Sequence, residues 1–189
     1  SQITAVTFTN KAAEEMRERL SKALGGKNRL KGMTIGTFHS ICLSLLSGRE
    51  GGVTVIEEGE ALSLAKEAAE SLPGRVSPRR LLREVSRMKN GAAQPDASDL
   101  REGVERYNQK LRGYGVMDFD DLLLSARDAM DGLDKKSRRP FTHLLVDEFQ
   151  DINEIQYQLI EAFSKESESV FLIGDPDQAI YGFRGSNSR

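Results

Sequence analysis

The sequence has little of several residue types and patterns, and each absence excludes a class of protein. Among 189 residues there is one cysteine, Cys42, and no tryptophan. A single cysteine excludes an internal disulfide and a zinc site built from several thiolates, and it is typical of a reducing compartment. No apolar run approaches the roughly 18–20 residues that a membrane-spanning helix requires. Because no charged-then-apolar leader precedes Ile3, we expect a cytoplasmic protein that does not engage a membrane.

An excess of charge of one sign is also absent from the chain as a whole. The net charge is −2, from 27 basic and 29 acidic residues, which argues against a polycation that coats nucleic acid without selectivity. The distribution is uneven, however: residues 1–48 carry +4, residues 49–117 carry +1 and residues 118–189 carry −7. A local basic face toward nucleic acid is therefore compatible with the composition.

The order of the apolar patterns predicts an α/β fold that is interrupted by helices. The β-branched and aromatic runs at 3–8 and 34–38 each precede a helical pattern. Residues 49–117 contain three helical apolar stripes and little that indicates a strand. Buried strands are then predicted at 143–146 and 170–173. Because strand and helix alternate outside the helical stretch, we expect a parallel sheet.

An acidic pair, Asp147-Glu148, follows the apolar strand at 143–146. In open α/β sheets, ligands bind beyond the carboxyl ends of the strands. There one carboxylate can hold a hydrated magnesium ion and its neighbour can orient and deprotonate a water molecule. Two adjacent carboxylates repel each other, and a bound cation would keep both ionised. Taken alone, the pair is equally well explained as a solvated strand end.

A glycine-rich stretch, GDPDQAIYGFRG at 174–185, follows the last predicted strand. Gln178 can hydrogen-bond both a phosphate oxygen and a water. Tyr181, Phe183 and Arg184 interleave aromatic rings with a cation, which is typical of surfaces that stack on bases and grip a nucleic-acid backbone. In isolation, a tight turn with two core aromatics explains the same residues and is the simpler interpretation.

Two further strand-to-helix junctions carry hydroxyl and amide groups, at Thr7–Lys11 and Thr37–Ser40. Free N–H groups at a helix N-terminus, together with such side chains, bind phosphate without sequence preference. Ordinary helix capping accounts for either junction when it is considered alone.

Taken together, these segments resemble the motifs of one family. Thr7–Lys11, Thr37–Ser40, DFDDL at 118–122, DEFQD at 147–151 and the 174–185 stretch occur in the order found in the UvrD/Rep/PcrA-like superfamily 1 DNA helicases. The resemblance covers essentially the whole chain, and the DEFQD and GDPDQAIYGFRG strings are its most specific parts. It implies a partial RecA-like P-loop NTPase sheet with an all-helical insert. Residues 1–48 would begin the motor domain, 49–117 would form the insert and 118–189 would return to the motor domain.

The resemblance also implies roles in ATP hydrolysis. Asp147 would bind Mg²⁺, and Glu148 would be the general base that activates water against the γ-phosphate of ATP. Gln178 would sense the γ-phosphate, and Gln150 would help to couple the ATP site to movement on DNA.

On the DNA side, the expected partners are single-stranded DNA and duplex junctions. Phe183 would stack on a base, with Tyr181 and Arg184 supporting the same surface. The residues expected along the DNA backbone are Thr7, Asn10, Thr37 and His39. For His39, a buried and hydrogen-bonded histidine is an equal alternative.

One family feature is absent from the sequence. The family begins with a glycine-rich phosphate loop that ends in Gly-Lys-Ser/Thr, whereas the closest string here, Gly26-Lys27-Asn28, lacks the upstream glycine and the hydroxyl. We therefore expect a fragment of an ATP-dependent 3′–5′ DNA helicase that is inactive by itself. Two alternatives are the helicase portion of an AddA/RecB-like helicase–nuclease and a non-catalytic DNA-binding module. The retained Asp147 and Glu148 count against the second alternative, because binding alone does not need a general base.

Overall fold

Strands and helices alternate along the chain on both sides of a helical segment. The computed structural model describes residues 2–47, 52–70, 72, 74, 76–132, 141–165, 167–175 and 177. Within these residues the strands are β1 (Ile3–Thr7), β2 (Met33–Thr37), β3 (His143–Val146) and β4 (Ser169–Leu172). The helices are α1 (Asn10–Leu24), α2 (Phe38–Ser47), α3 (Glu58–Glu70), α4 (Pro78–Lys89), α5 (Ser98–Tyr114), α6 (Phe119–Asp131) and α7 (Glu154–Ser164). Short 3₁₀ turns occupy Lys27–Leu30 and Phe149–Asp151.

The four strands form one parallel sheet in the order β2-β1-β3-β4. Ile3 of β1 lies opposite Met33 of β2 on one side and His143 of β3 on the other. Because all four strands run in the same direction, the chain leaves each of them at the same edge of the sheet, which we call the carboxyl edge. The predicted α/β class with a parallel sheet is confirmed.

Helices cover both faces of the sheet, as an all-parallel arrangement requires. On one face, Val6, Leu144 and Val146 pack with the apolar stripes of α2, α6 and α7. On the other face, Ala13 of α1 packs against Ala5 and Ile35. Side chains of consecutive strand residues therefore alternate between the two cores. Among the described helices, none combines the length and the apolar character needed to cross a bilayer.

Helices α3, α4 and α5 pack around an apolar cluster of their own; we call the segment from α3 to α5 the insert. The chain enters and leaves the insert through an isolated parallel bridge between Val55 and Met117. The Ile56 amide donates to the Met117 carbonyl at 2.8 Å, and the Met117 amide donates to the Thr54 carbonyl at 2.9 Å. We call these paired segments the neck, and they place the two crossings side by side.

Strand β4 differs from the sequence expectation of a buried strand. Within the described residues it pairs with β3 on one side only. Val170 and Phe171 are 39% and 58% exposed, and Leu172 and Ile173 are 48% and 52% exposed. An apolar run predicts a strand, but its burial depends on what packs against it, and in the described part of the chain little does.

Candidate functional site

The β1–α1 and β2–α2 junctions at the carboxyl edge use their hydroxyl groups for helix capping. Thr9 Oγ1 accepts a hydrogen bond from the Ala12 amide at 3.1 Å. Ser40 Oγ accepts from the Thr37 amide at 2.9 Å, and Thr37 Oγ1 accepts from the Ser40 amide at 3.3 Å. These bonds satisfy amides that would otherwise lack partners at the helix starts. The hydroxyl groups of both junctions are thus already engaged at the edge of the sheet.

The two predicted DNA-contacting residues of the first junction lie in different environments. Thr7 is 1% exposed, and its Oγ1 has no hydrogen-bond partner in the described structure. Asn10, three residues later, is exposed at the start of α1. The junction therefore offers Asn10 to a ligand, whereas the side chain of Thr7 lies in the interior.

His39, in the first turn of α2, is partly buried against α6. Its ring meets the Phe119 ring edge-on, with 4.8 Å between centroids and 71° between planes. Burial lowers the pKa of His39 below its ordinary value of 6.5, because a charged imidazole loses hydration in such a place. At neutral pH it is therefore an uncharged, packed side chain, which can offer a phosphate a hydrogen bond but not a positive charge.

The acidic pair lies directly beyond β3. The Asp147 amide donates to the Val6 carbonyl at 2.9 Å and so continues the ladder with β1. Glu148 then turns the chain sharply, with φ 55° and ψ 42°, and it is the one non-glycine residue in the described ranges with a positive φ. That left-handed conformation costs a non-glycine residue about 1–2 kcal/mol. It leaves the Glu148 side chain exposed and that of Asp147 half-buried.

Gln150 connects this acidic turn to the end of β4. Its Nε2 donates to Glu148 Oε2 at 2.6 Å, and its Oε1 accepts from the backbone amide of Asp175 at 3.0 Å. Gly174 makes this close approach possible, because a Cβ there would lie 2.5 Å from Gln150 Oε1 and 3.1 Å from the Gln150 amide nitrogen. The ends of β3 and β4 are thus joined through one side-chain amide.

Sequence reasoning gave no role to Asp151, the last residue of the DEFQD string. Its carboxyl group is buried, with the residue 8% exposed and Oδ1 unpartnered in the described structure. Only the string itself could have signalled the position. Four predicted site residues, Gln178, Tyr181, Phe183 and Arg184, lie outside the described residues.

The donor set at the carboxyl edge fits a magnesium ion that is held together with a nucleotide. Among the described residues, no group of three or more His, Cys, Asp or Glu side chains is placed to hold a metal ion by itself. Mg²⁺ usually binds through one or two carboxylates, substrate phosphates and water. Asp147, beyond the end of β3 with a half-exposed carboxylate, suits that mode of binding.

Comparison with known proteins identifies the family. The model of the UvrD/REP helicase N-terminal domain matches residues 1–189. The chain belongs to this family. It is 34% identical to the ATP-dependent DNA helicase UvrD1 of Mycobacterium tuberculosis (strain ATCC 25618 / H37Rv), an alignment that covers 100% of this chain and 28% of the relative.

Two other relatives match this UvrD/REP helicase N-terminal domain to a similar extent. The chain is 33% identical to the ATP-dependent DNA helicase Rep of Escherichia coli (strain K12), over 97% of this chain and 30% of the relative. It is 30% identical to the ATP-dependent DNA helicase PcrA of Staphylococcus aureus (strain Mu50), over 98% of this chain and 28% of the relative. The chain therefore spans less than a third of the length of these relatives.

Proposed function

We propose that the chain is part of the first motor domain of an ATP-dependent DNA helicase. The intact enzyme would couple ATP hydrolysis to 3′–5′ translocation on single-stranded DNA and to unwinding at duplex junctions. One observation carries the proposal: the acidic turn beyond β3 is hydrogen-bonded through Gln150 to the end of β4, in a chain that belongs to the UvrD/REP helicase family. Three relatives named as ATP-dependent DNA helicases support it.

The geometry of the acidic turn suggests how its residues divide the work. Asp147 would hold Mg²⁺, which when bound supplies positive charge to the phosphates of ATP. Glu148 would accept the proton of the water that attacks the γ-phosphate. Its carboxylate is held by the 2.6 Å hydrogen bond from Gln150, so the base is oriented before the substrate arrives. Gln178 would contact the γ-phosphate three residues beyond Asp175, whose amide Gln150 binds.

The same contacts suggest how hydrolysis would be coupled to DNA. A shift of the chain beyond β4 would pull on Gln150 and hence on Glu148. The expected DNA-stacking residues, Tyr181 and Phe183, follow on that same segment with Arg184. At the same carboxyl edge, where the chain leaves β1 and β2, the DNA backbone would be contacted by Asn10, Thr37 and His39. We further propose that 1–48 and 118–189 form the motor part and that 49–117 form the insert subdomain.

Residues 1–189 alone should not turn over ATP at a useful rate. Phosphoryl transfer depends almost entirely on positioning and on charge stabilisation. The Gly-Lys-Ser/Thr string that would hold the phosphates is not present in this sequence. Robust DNA-stimulated ATPase activity from the isolated segment would contradict this part of the proposal.

The decisive experiment replaces the general base in the full-length protein. We expect Glu148→Gln to reduce ATP turnover by roughly 10²–10⁴-fold, the usual contribution of a positioned base. Nucleotide binding should persist, because the substitution keeps the shape of the side chain. Turnover is measured by phosphate release and binding by titration with a fluorescent nucleotide.

A matched control is Glu161→Gln, which makes the same change on the exposed surface of α7. It should leave both turnover and binding unchanged. If Glu148→Gln retained normal turnover, Glu148 would have no part in hydrolysis and the proposed mechanism would be wrong.

A further inference from the structure

A cluster of charges, formed by Lys89 and the carboxylates at the start of α6, joins the insert to α6. Lys89 is the last residue of α4, and its Nζ lies 2.7 Å from Asp118 Oδ2 and 2.9 Å from Asp121 Oδ2. The side chains of Lys89 and Asp118 are only 9% and 12% exposed. Burying an ammonium group is costly unless it is closely paired. Lys89 is therefore kept in its buried position by two carboxylates, that of Asp118, the N-cap of α6, and that of Asp121 in the first turn of α6.

Asp118 serves the insert and the sheet-containing part of the chain at once. Its Oδ1 accepts from the Asp121 amide at 2.9 Å and so caps α6. Its Oδ2 accepts from Lys89 at 2.7 Å and from the hydroxyl of Tyr107 at 3.2 Å. Tyr107 lies in α5 and is fully buried. Two helices of the insert and the first turn of α6 thus meet at one carboxylate.

A further contact adds acidic charge to the cluster. Asn90 Nδ2 donates to Asp120 Oδ1 at 3.4 Å. Burial raises the pKa of Asp120 and of Asp121 above the ordinary value of 3.8, and for both the charge of Asp118 raises the pKa further. The charge of Lys89 opposes both effects. Without it, the cluster would hold three partly or fully buried carboxylates, those of Asp118, Asp120 and Asp121, that repel one another.

The cluster is one residue away from a contact with the carboxyl edge. Phe119 follows Asp118 directly, and its ring meets His39 at 4.8 Å between centroids. His39 stands two residues beyond Thr37, the last residue of β2. A continuous series of contacts therefore runs from the insert through the first turn of α6 to the β2–α2 junction.

We propose that Lys89 is a positioning residue that fixes the insert on the first turn of α6 and thereby holds His39 and the β2–α2 junction in place for DNA. Lys89 acts through Asp118 and Phe119 and does not itself touch nucleotide or DNA. The inference rests on the proposed function only where it takes the carboxyl edge to face DNA.

The first measurement concerns geometry and does not depend on activity. In the full-length protein, spin labels are placed at the exposed positions Arg101 of α5 and Glu18 of α1, and the distribution of distances between them is recorded. We expect a narrow distribution in the wild type, a broader one in Lys89→Met and a narrow one again in Lys89→Arg, which keeps the cation. An unchanged distribution in a folded Lys89→Met protein would overturn the proposal.

The second measurement concerns the consequence for DNA. We expect Lys89→Met to lower the stimulation of ATP turnover by single-stranded DNA about fivefold or more, the lower end of typical coupling between sites, with DNA-free turnover unchanged. Lys89→Arg should retain the stimulation. If Lys89→Met lowered ATP turnover by the same factor with and without single-stranded DNA, the role of Lys89 would be merely structural and the proposal would be overturned.

The matched control is Lys110→Met, which breaks a pair within the insert, since Lys110 Nζ lies 2.8 Å from Glu67 Oε2. It should change neither the distance distribution nor the stimulation.

If Lys89→Met does not fold, Asp121→Asn removes one of the two carboxylates and leaves the Lys89–Asp118 pair. That variant should broaden the distribution to a lesser degree, and no broadening would count against Lys89. A wild-type protein without DNA-stimulated turnover would refute the proposed function, while the label distances would still decide the role of Lys89.

Discussion

At the scale of single residues, the carboxyl edge depends on close approaches that leave no room for variation. Gly174 is the clearest case, because the Gln150 side chain and the backbone at Phe149 and Gln150 lie within 2.5–3.2 Å of where its Cβ would be. The flexible amide could move away, but the backbone nitrogens cannot move without disturbing the acidic turn. The absence of a side chain at position 174 is thus a requirement of the link between β3 and β4.

We therefore predict that Gly174→Ala lowers the free energy of unfolding by about 1–3 kcal/mol, the usual cost of overfilling a packed site. Gly113→Ala is the matched control, because it lies in α5 and a Cβ there meets nothing within 4 Å. It should raise stability by about 0.5–1 kcal/mol through helix propensity. Denaturant titrations of the two variants test both signs, and a neutral Gly174→Ala would mean that the turn can relax.

At the scale of elements, some features of the structure are determined by residues that are close together in the sequence. The N-caps Thr9, Ser77 and Asp118 are of residue types that favour this position, and each accepts a hydrogen bond from an amide of its helix. The strand at 143–146 was predicted with the bounds observed. Such features depend on neighbours within a few residues, so one segment contains the information that determines them.

The contacts that the sequence did not predict join residues far apart in the chain. Gln150 reaches Asp175 across 25 positions and Lys89 reaches Asp118 across 29. The burial of Thr7 and the exposure of β4 likewise depend on which elements pack together. Asp147 and Glu148 could be singled out as candidates because they follow an apolar strand. The amide that holds Glu148 was given a role only by family resemblance.

One helix start offers a test at this scale. Helix α5 begins after Ala97, whose backbone is extended and whose side chain forms no capping hydrogen bond. We predict that Ala97→Ser raises the free energy of unfolding by about 0.5–2 kcal/mol by supplying the missing acceptor. Ala23→Ser, in the last turn of α1, adds the same hydroxyl without a cap and should give no gain. Equal effects of the two substitutions in thermal unfolding would refute the capping explanation.

At the scale of the whole molecule, Cys42 reports on how the main core opens. It is fully buried in the cluster that α2, α6 and α7 form with the sheet, and burial raises the pKa of its thiol to about 12. Only the thiolate reacts rapidly with thiol reagents. Native Cys42 is therefore both inaccessible and protonated.

We predict that modification of Cys42, followed by mass spectrometry of its peptide, proceeds at the rate of global unfolding. It should not accelerate as pH rises toward 9.0, the ordinary value for a cysteine thiol, whereas the same peptide in denaturant should react faster. Because the pKa is raised in the folded state, the stability contribution of the neutral thiol is lost as pH rises from 9.0 to about 12. Fast labelling of the native protein would show local opening of α2.

The neck has a consequence for how such a chain can change during evolution. Because Val55 and Met117 are paired, the insert is a loop of about sixty residues whose two ends are already held together. Doubling the length of such a loop adds only about 0.6 kcal/mol to the entropic cost of closing it. Insertions, or exchange of the whole helical segment, should therefore be tolerated by the sheet. The tolerance has one condition: any replacement must bring a cation to Asp118, or this buried carboxylate and its partly buried neighbours at the start of α6 are left without a counter-charge.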